Sequence, residues 1–295
     1  MRFASCLVDS RPRWGVIVDD DIHLCPLNTE LPDDVVALIT LGPDRAAEIG
    51  ERLATTGESR PLSTVTLTAP IPRPRKNIIC LGLNYAAHAE ESLRAKGRTA
   101  ELPEDPVVFT KSVGSVNGPY GDILLDPEVT EQLDWEVELG VVIGRRAHKV
   151  DAAGAQAAIF GYTVINDVSA RDLQFRHKQF FMGKSLDGAC PMGPWLVTAD
   201  EIPDPQQLAL ACRVNGESKQ QGNTSDQIFG VVDTVRRLSA VMTLEPGDII
   251  ATGTPDGVGF ARTPPEFLHA GDVVECDIES IGVIRNRIVA PVRTG

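Results

Sequence analysis

Leu133-Asp134-Trp135-Glu136-Val137-Glu138-Leu139-Gly140-Val141-Val142-Ile143 reads as an apolar strand carrying two carboxylates at positions i and i+2. Successive side chains of a strand point to opposite faces, so Glu136 and Glu138 share one face while Trp135, Val137 and Leu139 fill the other. Two carboxylates side by side in an apolar segment repel, at a cost on the order of a few kcal/mol, unless a cation sits between them or one takes up a proton. A divalent metal removes that cost. Further along, Gly161-Tyr162-Thr163-Val164-Ile165-Asn166-Asp167 is a second β-branched run that ends in an acid, and Asp167 could complete a three-carboxylate set. Three oxygen ligands with waters in the remaining positions are how Mg²⁺ is commonly held, at about 2.1 Å per bond. The competing reading makes Glu136 and Glu138 the solvated face of an edge strand.

Composition narrows the choice of function. The chain has 295 residues, 42% hydrophobic and 23% charged, as in ordinary globular proteins with a full core. A net charge of -13 argues against nucleic acid and against an anionic membrane, both of which need a basic surface, so the expected partner is a small molecule. No run approaches eighteen consecutive apolar residues and the first residues lack a secretory pattern, so a cytoplasmic location is expected. The six cysteines are scattered singly without a C-x-x-C pair and read as reduced core residues.

Two parts follow along the chain. Residues 1–70 read as a small N-terminal α/β domain, with strands over 2–8 and 14–18 and helices over 33–41 and 45–53. The proline-spaced stretch Pro70-Ile71-Pro72-Arg73-Pro74-Arg75 marks a boundary, because proline is stiff and cannot join a sheet interior. Residues 71–295 carry mostly strand patterns, over 78–81, 107–110, 135–143, 162–166, 208–214, 248–251, 273–279 and 283–289. Helical patterns there are confined to 85–96, 152–159 and 231–242. The class expected is α+β and β-rich, a roll or barrel with peripheral helices.

The segment Gly82-Leu83-Asn84-Tyr85-Ala86-Ala87-His88-Ala89-Glu90-Glu91 is the second chemical constellation. Asn84 is a suitable N-cap for the following helix, Gly82 allows positive φ or close approach of a ligand, and His88 and Glu91 fall at i and i+3 on one face. A carboxylate that accepts one imidazole N–H fixes the tautomer and raises the basicity of the other nitrogen, which makes a general base. Polar residues 92–105, broken by Gly97 and Pro103, read either as a lid over the site or as a solvent-exposed loop. Phe181-Met182-Gly183-Lys184-Ser185 lacks the earlier glycine of a phosphate loop, because position 178 is lysine. In Gly253-Thr254-Pro255-Asp256-Gly257-Val258-Gly259, backbone N–H groups and the Thr254 hydroxyl could serve a carboxylate, or the loop could be purely structural.

These runs, with Val108-Phe109-Thr110-Lys111, Asn166-Asp167-Val168-Ser169-Ala170-Arg171-Asp172 and Asn215-Gly216-Glu217, resemble in order the fumarylacetoacetate hydrolase superfamily over roughly residues 71 to 290. The resemblance implies that superfamily's mixed β-sandwich roll behind a small N-terminal domain, and a homodimer. It also implies that Glu136, Glu138 and Asp167 hold Mg²⁺ or Mn²⁺, that His88 and Glu91 activate water, and that Lys184 acts beside the metal. Tyr85, Lys111, Arg171, Gln174 and Thr254 become the candidate substrate contacts. Ser112 and Ile165 depart from the commonest pattern, which has proline and alanine there, and are expected to alter pocket shape.

The chemistry so implied is metal-dependent cleavage of a C–C bond in a 2,4-diketo acid, an acylpyruvate or a deoxy-diketo sugar acid, to pyruvate and a second acid. Water activated by His88 attacks the far carbonyl, and the enolate charge that develops on the pyruvate fragment is stabilised where it forms. The alternative on the same site is decarboxylation or isomerisation of oxaloacetate-like or unsaturated 2-oxo dioic acids. A non-catalytic, metal-stabilised scaffold is the third reading, and the presence of both His88 and Glu91 argues against it.

Overall fold

The structure is a computed structural model that describes residues 1–27, 29–95, 97 and 102–291. Its centre is a twelve-stranded sheet in which Val137–Ile143 lies between Ile159–Asn166 and Ile249–Ala251, antiparallel to both. Every residue of Val137–Ile143 is buried, as is Glu136 immediately before it, so the glutamates stand on an interior strand and at its entry, not on a solvated edge. Ile249–Ala251 pairs in parallel with Ile78–Gly82, which pairs with the edge strand Val107–Lys111. A five-stranded sheet, built mainly on Ala209–Val214, Val273–Ile278 and Gly282–Val289, covers one face of this sheet. Trp135, Val137, Leu139, Tyr162 and Val164 fill the core between them with Leu210, Val274 and Ile284.

The other face carries the helices Val35–Thr40 and Pro43–Thr56 over Phe3, Val142, Phe160, Ile165 and Ile249. Local signals set these helices. Asp34 accepts from the Ala37 N–H at 2.7 Å as N-cap, and Pro43 occupies the first turn, where its missing N–H costs nothing. The helices Ala152–Ala158 and Val231–Val241 pack on each other beside the first core, through Ala155, Ala158, Val231, Val235 and Leu238.

The segment 1–70 is continuous with the rest. Arg2–Val8 pairs with Cys190–Thr198, placing Arg2 opposite Val197 and Phe3 opposite Leu196, so the N-terminal strands extend the central sheet. Pro70 and Ile71 are buried, and Ser5 Oγ donates to the Pro70 carbonyl at 2.8 Å, so the proline stretch is a packed crossing between the two parts. Cys190–Thr198 itself escapes the pattern reading because it contains Pro191 and Pro194. It tolerates Pro194 where its pairing with Ile159–Asn166 slips, between Val164↔Gly193 and Tyr162↔Val197, and Pro191 near its start, beyond that pairing and opposite Asn117. All six cysteines are buried and unpaired, as the sequence indicates. No helix among the described residues is long and apolar enough to cross a membrane.

Candidate active site

The site lies at one end of the central sheet, where Val137–Ile143 begins and where Ile159–Asn166, Ile249–Ala251 and Ile78–Gly82 end. Pairing puts Glu138 opposite Ile165, and the Asp167 N–H donates to the Glu136 carbonyl at 2.9 Å. Register therefore brings the two glutamates and Asp167 together. Oxygens of Glu136, Glu138 and Asp167 lie within 4.8 Å of one another, and all three residues are buried.

Three cations are threaded through the acids. Lys184 Nζ donates to Glu136 Oε2 and to Asp167 Oδ2, both at 2.7 Å. Lys111 Nζ donates to Asp167 Oδ1 at 2.7 Å and to the Val168 carbonyl at 3.0 Å. Arg171 pairs with Glu136 Oε1 at 2.6 Å and donates through Nε to Asp134 Oδ2 at 2.8 Å. Asp134, Glu136, Glu138 and Asp167 set against Lys111, Arg171 and Lys184 leave one negative charge unmatched, and it belongs to Glu138. Among the described residues Glu138 has no cation in ion-pair reach and accepts instead from the Gly253 N–H at 2.8 Å.

Protonation follows the charges. Burial pushes the Glu136 carboxyl up, but Lys184 and Arg171 outweigh it and hold it below the usual carboxylate range. Burial, reinforced by Asp167 and Glu136, drives the Glu138 carboxyl well above that range. For Lys184 burial works against the charge, yet Asp167 and Glu136 keep the ammonium above its ordinary value. An all-oxygen, buried donor set that is one positive charge short fits a hard divalent cation such as Mg²⁺ or Mn²⁺.

The dyad is assembled on the same cleft. His88 Nδ1 lies 3.0 Å from Glu91 Oε1, and His88 Nε2 lies 3.5 Å from the buried Ser92 hydroxyl. Glu91 also accepts the Gly257 N–H on both oxygens, at 3.0 and 3.1 Å, which ties the helix Ala86–Ala95 to the glycine-rich loop. That loop serves carboxylates, as one reading of it expects, but they are the protein's own. Its Gly253 N–H reaches Glu138, its Gly257 N–H reaches Glu91, and the Gly259 and Phe260 N–H groups reach Asp134 at 2.7 and 3.0 Å. Gly253 has φ +93°, and a Cβ there would lie 2.8 Å from Asn84 Cβ.

Close packing likewise explains Gly183-Lys184. A Cβ on Gly183 would lie 2.4 Å from the Gln174 nitrogen, so only glycine lets the turn Phe181–Lys184 seat against Arg171–Arg176 and deliver Lys184.

A small cleft of about 50 Å³ opens over these groups and is lined by His88, Glu136, Glu138, Arg171, Gln174, Lys184 and Thr254. Gln174 Oε1 accepts from Arg171 at 2.9 Å, and Thr254 Oγ1 accepts from Gln220 Nε2 at 2.8 Å, so the Gln174 amide nitrogen and the Thr254 hydroxyl proton are their remaining donors.

Two candidate contacts do not line the cleft. Lys111 sits behind Asp167, and Tyr85 is a core residue whose hydroxyl accepts from Gln227 at 3.4 Å. Asn84 is not a helix cap. Its amide donates to the Phe229 and Thr252 carbonyls and its Oδ1 accepts the Phe229 N–H, joining three chain segments. Positive φ falls on Leu83 (55°), not on Gly82. Ile165 leaves the cleft alone: it leans over Gly140, where a Cβ would lie 2.7 Å from Ile165 Cδ1. Ser112 is also outside the lining, and its N–H donates to Ser185 Oγ at 3.0 Å. Of the polar segment 92–105, residues 96 and 98–101 lie outside the described residues.

Sequence reasoning missed Ser92, the anchoring role of Asp134, the Gln220 bridge, and the phenylalanines 109, 175, 180 and 260 that also line the cleft. Only Asp134 had a signal, its place one residue before Trp135 in the acidic strand.

Residues 77–289 match the fumarylacetoacetate (FAA) hydrolase C-terminal family. The chain is 45% identical to the oxaloacetate tautomerase YisK of Bacillus subtilis, over 98% of this chain and 100% of that protein. A fumarylacetoacetate hydrolase from Exiguobacterium antarcticum superposes with a TM-score of 0.86 at 38% identity, covering 99% of this chain and 100% of that one. Maleylpyruvate hydrolase from Sphingobium sp. SYK-6, solved with manganese(II) and pyruvate, superposes with a TM-score of 0.78 at 29% identity over 99% and 100%. The protein is an enzyme-type member of the fumarylacetoacetate hydrolase family.

Proposed function

We propose that the protein is a metal-dependent tautomerase of oxaloacetate-like 2-oxo dicarboxylic acids, interconverting their keto and enol forms. The observation that carries this reading is the His88–Glu91 pair standing on the same cleft as the charge-deficient triad, in a chain alike from end to end to an oxaloacetate tautomerase. It displaces C–C hydrolysis, the first expectation from sequence, in favour of the isomerisation that stood as its alternative.

Glu136, Glu138 and Asp167 would hold Mg²⁺ or Mn²⁺, and such an ion supplies Lewis-acid polarisation of a 2-oxo group, which acidifies the neighbouring C3–H. With a divalent ion the cluster carries one net positive charge, suited to a substrate anion despite the overall charge of -13. Glu91 holds the Nδ1 side of His88, so Nε2 is the atom that takes the C3 proton and returns it. Ser92 Oγ, 3.5 Å from Nε2, stands at the limit of hydrogen-bond reach and leaves that nitrogen open to substrate. Lys184 places its ammonium where negative charge grows on the 2-oxo oxygen, and the Thr254 hydroxyl and Gln174 amide offer donors to the carboxylates.

Hydrolysis is the second reading, favoured by the likeness to maleylpyruvate hydrolase and by the same base, which serves equally to activate water. One assay separates them. Decay of the enol absorbance of oxaloacetate should accelerate with metal-loaded protein, and chelator should abolish the effect. Stoichiometric pyruvate from acylpyruvates, with no acceleration of enol decay, would assign hydrolysis instead.

A further inference from the structure

We infer that Gln220 is a positioning residue for substrate: from the second sheet it fixes the Thr254 hydroxyl so that the hydroxyl proton serves a substrate carboxylate in the cleft. The inference rests on the reading above of this cleft as the site of a 2-oxo dicarboxylic acid. Glu217–Asn223 is an edge strand of the five-stranded sheet, and Gln220 is the one buried residue in it. An apolar side chain is the ordinary occupant of such a position. An amide stands there instead, 1% exposed and paired across the sheet with Cys212. Burying an amide costs free energy unless its hydrogen bonds are made.

Both ends of this amide are bonded, and in one orientation only. Gln220 Oε1 accepts the Val137 N–H at 3.1 Å, while Nε2 donates to the Pro255 carbonyl and to Thr254 Oγ1, both at 2.8 Å. The Val137 N–H can only donate and the Pro255 carbonyl can only accept, so the amide cannot be turned over. Both Nε2 protons are therefore given away, and Thr254 Oγ1 is an acceptor towards Gln220. The hydroxyl's own proton must point away from that donor, and Thr254 lines the cleft. The bond thus turns a rotatable hydroxyl into a donor directed at the substrate.

The backbone of the edge strand supports this placement. Its pairing skips a residue, with Cys212 opposite Gln220 but Arg213 opposite Ser218, so Lys219 is the extra residue of a bulge. The bulged strand lies directly against the glycine-rich loop. A Cβ on Gly257 would lie 2.2 Å from the Lys219 carbonyl oxygen, and a Cβ on Gly222 would lie 2.6 Å from Pro255 Cβ. Gln220 falls between these two close approaches, behind Thr254 and Pro255. Its bond to Val137 joins the same amide to the first residue of the strand that carries Glu138, so one side chain spans the cleft loop and the metal-ligand strand.

The test follows enol–keto exchange of oxaloacetate in wild type, Gln220→Met, Thr254→Val and the double variant. A second readout is calorimetric binding of malate, a dicarboxylate without a 2-oxo group to enolise, to each Mg²⁺-loaded protein. Gln220→Glu keeps an acceptor for Val137 and loses the donor to Thr254, and it replaces Gln220→Met should that variant not fold. Each single variant is expected to raise KM and the dissociation constant of malate about tenfold, with kcat within about twofold of wild type. The double variant should match Thr254→Val alone, because Gln220 acts through that hydroxyl. A folded Gln220 or Thr254 variant with wild-type KM and malate affinity overturns the inference and leaves the tautomerase reading standing. So does a double variant in which the two effects multiply to about a hundredfold. Malate binding that weakens in the variants, in a protein whose wild type exchanges no oxaloacetate, overturns the tautomerase reading and leaves the role of Gln220 standing.

Discussion

Glu136, at the entry of the strand Val137–Ile143, and Glu138, on it, are two residues apart and in opposite electrostatic situations. Glu136 has a cation on each oxygen, whereas Glu138 has a backbone N–H and two acidic neighbours. The substitution Glu136→Gln takes one carboxylate from each of Arg171 and Lys184, leaving them Asp134 and Asp167, and should destabilise the protein by about 2 kcal/mol in denaturant titration. By contrast, Glu138→Gln removes the unmatched charge. It should raise the melting temperature of the metal-free protein by about 2 °C or more while abolishing its response to Mg²⁺. The raised Glu138 carboxyl also sets a pH dependence. Its neutral form is favoured by folding, so its contribution to stability is complete below the unfolded-state value of about 4 and is lost as pH rises through the folded value. Because the metal displaces that proton, the melting-temperature gain from Mg²⁺ should be larger at pH 8 than at pH 6, and half-saturation should need more metal at the lower pH. His88→Ala should lower kcat for enol–keto exchange by about 10² to 10⁴ while moving KM little. The residues that announce this chemistry are those whose type is costly where it stands: acids in an apolar strand can be read from sequence alone. Ser92, Gln220 and the phenylalanines carry no such contradiction, since a serine on a helix or a phenylalanine in a loop is ordinary, and so they escaped notice.

At the scale of elements, periodic segments were legible and the connections that build the site were not. The strands over 137–143 and 159–166 and the helix over 231–241 follow from their apolar periods. The glycine-rich loop after Ile249–Ala251 has no period, and its role emerges only when its N–H groups are seen to hold Glu138, Glu91 and Asp134 together. Gly253→Ala tests it. The new Cβ meets Asn84 at a φ that alanine adopts only under strain, so a loss of about 2 kcal/mol in stability is expected, with a further drop in kcat as the Glu138 and Glu91 anchors shift. Normal kcat in a folded Gly253→Ala protein would contradict the organising role of this loop. The strand Cys190–Thr198 shows the converse failure. Two prolines argued correctly against regular pairing, yet a slip in register after Gly193 admits Pro194 near the middle of the sheet, and Pro191 sits at the strand's start, before the paired stretch.

For the whole molecule, the fold class and the catalytic portion could be read, but the relation of the first 70 residues to the rest could not, because composition marks a boundary and pairing crosses it. Phe3 and Trp14 share a core with Phe160, Ile165 and Leu196, and Arg2–Val8 is the neighbour of Cys190–Thr198. Removal of residues 1–70 would bare a strand edge and the apolar face under the two N-terminal helices. The remainder should therefore be recovered as aggregate, which size-exclusion chromatography would show. A soluble, monodisperse fragment would mean that the catalytic portion folds alone. We propose that sheet, loop and helix together move a proton at C3 of a 2-oxo dicarboxylic acid. The most direct measurement is exchange of the C3 protons of oxaloacetate with D₂O, followed by NMR, with Mg²⁺-loaded wild type, with His88→Ala and with chelator. Exchange well above the protein-free rate that falls in both the variant and the chelated sample is predicted. Exchange no faster than without protein, or equally fast in His88→Ala, would contradict it.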